Sequence, residues 1–248
     1  VYHPQHSERQ VIKGLNLTVR AGEVVGIAGL MGAGRTEFAM SLFGRAYGTK
    51  ISGEVLMHGK PVDVSTIPKA KEAGLAYVTE DRKTFGLVLI DHIKHNVTLA
   101  NLNGVSERGV VNDIKEIGVA SKYRKDLGIR SSSIYQTTVN LSGGNQQKVV
   151  LSKWLFSGPE VLILDEPTRG IDVGAKFEIY SLIARLAEEG RGIVVISSEM
   201  PELLGLCDRL YVMNEGAFVA EMPAAGATQG KIMRAIVGSA TARETAAA

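Results

Sequence analysis

Leu141-Ser142-Gly143-Gly144-Asn145-Gln146-Gln147-Lys148, followed closely by Val161-Leu162-Ile163-Leu164-Asp165-Glu166-Pro167, decides how this chain is read. In the first stretch a small hydroxyl residue and two glycines open a helical pattern. A helix start of this kind presents bare backbone N–H groups and suits an anion. In the second, a wholly apolar run ends in two adjacent carboxylates. That is what a divalent cation and an attacking water need.

Upstream lies a third element of the same chemistry. Val24-Val25-Gly26-Ile27-Ala28 reads as a buried strand, and Gly29-Leu30-Met31-Gly32-Ala33-Gly34-Arg35-Thr36-Glu37 as a glycine loop opening a helix. Glycines at 29, 32 and 34 let the backbone, with Met31 and Ala33, wrap phosphates, and the helix start adds positive potential. Thr36 offers a hydroxyl to magnesium, and Asp165 is the carboxylate on the metal side. Glu166 is placed to polarise water as a general base. A bland alternative for Asp165-Glu166 is an N-cap pair after a strand; the glycine loop upstream argues against it.

Leu75–Val78 and Ile193–Ile196 are further apolar runs without polar alternation, as strands covered on both faces read. Helical patterns lie between them over Thr36–Phe43, Gly144–Phe156 and Lys176–Leu186. Strand alternating with helix predicts an α/β chain with a mainly parallel sheet. Hairpin patterns at Glu54–Val64 and Arg209–Glu221 predict a small antiparallel patch beside it. The stretch from Thr84 to Gly158 lacks comparable strands and reads as an inserted helical lobe.

Composition narrows the choice. With 28 basic and 26 acidic residues the net charge is +2, so bulk charge implies no polyanion partner. The basic runs Lys71–Lys83 and Arg124–Arg130 read as solvated faces. Cys207 is alone, which rules out an internal disulfide and reads as an apolar filler. The five histidines show no metal spacing with a third ligand. No run approaches the roughly 20 apolar residues that span a bilayer, and no signal peptide is visible. The chain begins at Val1 in what reads as mid-strand, which suggests a piece of a longer polypeptide. Thr241–Ala248 reads as a frayed tail.

Together these motifs resemble the ATP-binding cassette ATPases. The match is tighter to one group, the ATPases of bacterial monosaccharide importers of the ribose, xylose, arabinose and galactose type. Thr79-Glu80-Asp81-Arg82-Lys83, Asp165–Lys176 and Ser197-Ser198-Glu199-Met200-Pro201-Glu202 look like that group too. Those polypeptides carry two fused cassettes, and the resemblance, from the N-terminus to about Gly238, is to the second. It implies ATP and Mg2+ as ligands. It implies a core over 1–83 and 159–240, a helical subdomain over 84–158 and a tail over 241–248. The fold implied is a mainly parallel RecA-like sheet with a small antiparallel β subdomain.

The resemblance also assigns roles. Glu80 stands where the superfamily has a glutamine at the metal, and Ser198 where it has a histidine at the γ-phosphate. Arg35 replaces the phosphate-loop lysine, exchanging a compact ammonium for a wide planar fork. Asp172 matches the loop that crosses to the opposite cassette, and Tyr2 lies close to where an aromatic stacks on adenine in many cassettes, an exposed strand tyrosine being the alternative. Ser142, Gly143, Gly144 and Gln146 would cap ATP held by a facing cassette. The expectation is an asymmetric pair: this chain completes a competent site elsewhere while its own binds nucleotide and cleaves it poorly.

Partners implied are the first cassette, membrane permease subunits and, indirectly, a periplasmic sugar-binding protein, at the cytoplasmic face of the inner membrane. Two other readings stand beside this one. A regulatory ATP-binding half that never hydrolyses is favoured by Arg35 and Ser198 and opposed by Glu166. A cassette acting on nucleic acid or ribosomes would carry coiled-coil or basic extensions, which this chain lacks.

Overall fold

The computed structural model describes residues 1–247, with side chains as far as Ser239. In chain order it contains β1 (Val24–Gly29), α1 (Arg35–Leu42), β2 (Val55–Met57), β3 (Lys60–Val62), α2 (Ile67–Glu72) and β4 (Leu75–Val78). There follow α3 (Ile93–Thr98), β5 (Ser106–Glu107), β6 (Val110–Val111), α4 (Asp113–Asp126), α5 (Gly143–Leu155), β7 (Val161–Asp165) and α6 (Val173–Glu188). The chain ends with β8 (Gly192–Ile196), α7 (Met200–Leu206), β9 (Arg209–Asn214), β10 (Ala217–Pro223) and α8 (Gln229–Ala247). It divides into two compact units. The first comprises Val1–Tyr77, Glu160–Glu166 and the chain from Leu186 onward; the second comprises Val78–Pro159 and Pro167–Arg185.

The first unit is built on a six-stranded sheet of order β10-β9-β1-β8-β7-β4. β1 runs parallel to β8 and β9, and β7 parallel to β8. The strands form because their β-branched and aliphatic residues are covered on both faces: every residue of β1, β4 and β8 is buried. Gly26 is required here, since a Cβ would lie 2.6 Å from a Leu210 methyl and 2.8 Å from Cys207 Sγ. The register decides the site. Ile27 pairs with Ile196, and Ile196 with Asp165, so β7 and β8 end level and β1 ends two residues beyond them at Gly29. Everything leaving those ends meets at one edge, where open α/β sheets bind ligands.

In the second unit helices α3, α4 and α5 pack together around Ile93, Val97, Ala120, Val149 and Leu151, all fully buried. Asn112 caps α4, accepting from the Ile114 and Lys115 amides. Asp81 does the same for a π-helical turn at Arg82–Gly86, accepting from the Lys83 and Thr84 amides.

Several expectations need correction. The Arg209–Glu221 hairpin is not part of a separate patch: β9 joins β1 and β10 forms the antiparallel edge of the main sheet. Among the described residues of that unit only β2–β3 stands apart, and the helical lobe holds a short hairpin of its own, β5–β6. Val1 is not in a strand; its amino group donates to the Ile12 carbonyl. The backbone over the expected tail continues α8 to Ala247, while Ala248 and the side chains from residue 240 lie outside the described residues. Among the described residues no helix is long and apolar enough to cross a membrane.

Candidate functional site

The phosphate loop leaves β1 and turns on two glycines, Gly32 at φ +79° and Gly34 at φ +101°. Gly34 is the N-cap of α1 and has no side chain to occupy the helix start. Met31 is almost wholly exposed at the loop tip, whereas Ala33 and Arg35 are buried. The Arg35 guanidinium does not point out over the loop. One nitrogen donates to the Ser197 carbonyl at 2.5 Å and another lies 3.6 Å from Glu166 Oε1. Ser198 Oγ donates to the other Glu166 oxygen at 3.0 Å. The general-base candidate is thus held from two sides by two of the three residues that depart from the superfamily pattern.

Glu166 has an uncommon backbone as well, with φ +46°. A glutamate in the left-handed region costs on the order of 1–3 kcal/mol and persists where its surroundings enforce it. Its amide donates to the Ile196 carbonyl at 2.8 Å, which ties it to the end of β8.

Asp165 is fully buried, and Tyr77 donates its hydroxyl to Oδ2 at 2.9 Å. The other oxygen, Oδ1, has no hydrogen-bond partner. Burial pushes the carboxyl up to about 6, against the opposing hydrogen bonds from Thr36 and Tyr77; the Glu166 charge raises it further and Arg35 lowers it. A buried carboxylate oxygen left unpaired is costly and calls for a positive ligand. The Thr36–Asp165 pair therefore fits a magnesium ion in donor type and in its unmet demand for charge.

Tyr2 forms isolated bridges with Gln10 and Thr49, and the Lys50 ammonium lies 5.4 Å from its ring centre. Glu37 occupies the first turn of α1.

In the second unit Ser142 is the N-cap of α5, but its hydroxyl makes no capping bond to the helix. It accepts instead from Asn145 Nδ2 at 2.9 Å, and Asn145 Oδ1 accepts from the Arg130 amide at 2.8 Å. The helix start is held from outside, and its backbone donors carry no side-chain cap. Both glycines are needed: a Cβ on Gly144 would lie 2.6 Å from that of Ala175, and one on Gly143 would lie 2.9 Å from the Gly170 oxygen. A cavity of about 210 Å³ opens here, lined by Arg130, Ser142, Gly144, Asn145, Asp172 and Glu178 among others.

Some residues do not behave as the sequence suggests. Gln146 is not an offered contact: it is buried, donating to the Thr138 carbonyl at 3.1 Å and accepting from Arg82. Asp172 caps α6 by accepting from the Ala175 amide at 3.0 Å. Glu80 belongs to the second unit, where its carboxylate is ion-paired with Arg169. Arg130, passed over as part of a solvated basic run, lines the signature cavity and pairs with Glu178 at 2.6 Å. The histidine expectation also changes, because Asp91, His92 and His95 bring ligand atoms within 4.8 Å of one another. Asp91 and His95 there share a hydrogen bond of 2.7 Å. The third donor of this group is a neighbouring aspartate, which a search over histidines alone passes by.

A mainly parallel sheet whose strand ends carry a phosphate loop and paired carboxylates, with a signature-bearing helical unit, defines an ATP-binding cassette. The chain belongs to the ABC transporter family, whose model matches residues 12–169. It is 57% identical over 234 residues to an L-arabinose transport ATP-binding protein of Geobacillus stearothermophilus, covering 94% of this chain and 46% of that one. It is 48% identical over 238 residues to a xylose import ATP-binding protein of Thermoanaerobacter pseudethanolicus, covering 96% and 47%. The chain thus spans about half the length of these relatives. Among solved structures it resembles a nucleotide-free ATP-binding cassette from an ABC transporter, with TM-score 0.75, 18% identity and coverage of 92% and 89%. A dimeric cassette in a post-hydrolysis state bound to ADP and Pi matches with TM-score 0.70, 22% identity and coverage of 86% and 90%. The last two likenesses concern the fold alone.

Proposed function

We propose that this chain is a nucleotide-binding cassette of an ATP-driven monosaccharide importer, the second cassette of a fused pair. Its signature serves ATP held by a partner cassette while its own phosphate site turns over slowly. The observation that carries this reading is the clamp on Glu166. A general base must accept a proton from water at the moment of attack. Here the Arg35 guanidinium lies against one of its carboxylate oxygens and Ser198 donates to the other, so both oxygens already have partners within the chain. The signature, by contrast, keeps an uncapped helix start beside a cavity, which is the geometry for a terminal phosphate.

The chemistry follows from the parts. Gly29, Gly32, Ala33, Gly34 and Thr36, with Met31 and Glu37 at the loop, hold the triphosphate of this chain's own nucleotide. Tyr2 stacks on its adenine. Asp165 and Thr36 would hold magnesium, which neutralises charge on the β- and γ-phosphates. Glu166 and Ser198 face the γ-phosphate side, and Ser142, Gly143, Gly144 and Asp172 face the partner. Exposed apolar residues of the helical lobe, Phe85, Ile90 and Ile114, support docking of a permease segment. On this reading the protein works peripherally at the cytoplasmic face of the bacterial inner membrane, with a periplasmic sugar-binding protein as an indirect partner. The similarity to arabinose and xylose relatives supports the substrate class.

ATP binding and turnover of the purified chain, alone and with a competent partner cassette, test the proposal. Measurable binding with slow turnover alone, and fast turnover in the pair, is expected; brisk magnesium-dependent turnover alone would refute it. A second reading, a regulatory half without any hydrolysis, is favoured by the same clamp. It predicts no turnover by the purified chain alone, with Glu166→Gln indistinguishable from the parent.

A further inference from the structure

Arg82 is assigned no role by any of the motif readings above, yet it touches three of the segments that carry function in the second unit. Its Nε donates to Gln146 Oε1 of α5 at 3.4 Å. One terminal nitrogen donates to the Arg169 carbonyl at 2.7 Å, and the other to the Gly170 carbonyl at 3.3 Å. The guanidinium also lies against the signature backbone, since a Cβ on Gly143 would come within 2.9 Å of its Nη2. Glu80, two residues earlier, is paired with Arg169 and binds the same two loops a second time.

This arginine is itself held in place. Asp81 caps the turn that carries it, and Lys153 of α5 donates to the Gly86 carbonyl at 2.6 Å at the far end of that turn. Only a planar fork with donors in fixed directions reaches two successive carbonyls and a side-chain amide at once. The two carbonyls belong to the loop that leads into Asp172, and Gln146 belongs to the helix whose start carries Ser142 and Gly144. Both segments contribute to the lining of the cavity beside the signature, through Ser142, Gly144 and Asp172.

We infer that Arg82 is a positioning residue that sets the distance between the signature helix start and the 169–172 loop, and so shapes the cradle for a terminal phosphate. Its charge, next to a helix N-terminus, adds to the anion preference of that cradle. The inference rests on the proposal that the signature serves a nucleotide held by a partner cassette. Losing the fork removes charge-assisted hydrogen bonds without touching the phosphate loop. The loss therefore falls on turnover rather than on binding of ATP.

The test is steady-state ATP turnover of the complex of this chain with a competent partner cassette, with variants placed in this chain only. Arg82→Lys and Arg82→Ala are expected to lower kcat about tenfold to a hundredfold, with KM for ATP unchanged. Gln146→Leu is expected to lower it less, and melting temperature is followed for each. Ser142→Ala is the control. If it abolishes turnover while Arg82→Lys runs at the parent rate, the inference fails and the signature reading stands. If Ser142→Ala is silent, the signature reading fails and takes the inference with it. A kcat loss in Arg82→Lys that vanishes below its melting transition marks a merely structural arginine and overturns the inference.

Discussion

The phosphate loop and the signature are both helix starts preceded by glycine or serine, and they treat their polar groups in opposite ways. At the phosphate loop the side chains turn on one another: Arg35 reaches Glu166 and the Ser197 carbonyl, and Ser198 reaches Glu166. At the signature the side chains face away from the helix start. Asn145 holds Ser142, Gln146 is buried against Thr138 and Arg82, and Glu178 takes Arg130 and Lys148. One site has used its charges internally; the other leaves its main-chain donors for a ligand. The same kind of local backbone thus serves two purposes, and the neighbouring side chains decide which.

The sharpest way to break this contrast is at Gly144. Its Cβ has no room beside Ala175, so Gly144→Ala must push the starts of α5 and α6 apart. Turnover of the two-cassette complex is expected to fall at least about a hundredfold, while ATP binding by the isolated chain, measured by titration calorimetry, stays unchanged. A mild effect would mean that the signature geometry tolerates displacement.

Next in size is Asp165. Its folded carboxyl titrates at about 6 rather than near 3.8, chiefly through burial. The sign follows: the contribution is fully present below pH 4 and lost as pH rises through 6, because the folded state then binds the extra proton no longer. Asp165→Asn removes this slope. In the absence of nucleotide the variant is expected to gain up to about 3 kcal/mol over the parent at pH 7 relative to pH 4. Denaturant melts at the two pH values measure the difference. Equal differences would show that Asp165 is not strained by burial.

Arg35→Lys sharpens the comparison from the other side. A lysine ammonium cannot span the Ser197 carbonyl and Glu166 together, so the clamp on the base is released. Turnover of the isolated chain is expected to rise about tenfold, from a gain of roughly one charge-assisted contact's worth of barrier. Ser198→Ala removes only a single hydroxyl–carboxylate hydrogen bond at an exposed position, and a change of about threefold or less is expected in the same assay.

Much of the first unit was legible in the sequence. The runs at Val24, Leu75, Val161 and Ile193 are short, apolar at every position and rich in β-branched residues or bounded by glycine and proline, as strands buried on both faces are. The phosphate loop, Asp165 and Glu166 were legible because glycine and carboxylate positions are local in sequence. What escaped was set by distant partners. β9 reads as a hairpin strand, but its pairing with β1 depends on a neighbour some 180 residues away. Arg82 looks like any basic residue in a charged run, because its partners are mostly backbone carbonyls, which leave no trace in composition. Gln146 reads as exposed from its place in the motif; only the packing of Thr138 and Arg82 shows that its amide is taken.

The central claim, that this chain works through its signature rather than its own base, is tested most directly by comparing Ser142→Ala with Glu166→Gln, each in this chain alone within the two-cassette complex. ATP turnover is expected to collapse in the first and to stay within about twofold of the parent in the second. The reverse pattern, with the serine variant active and the glutamine variant dead, would contradict the account.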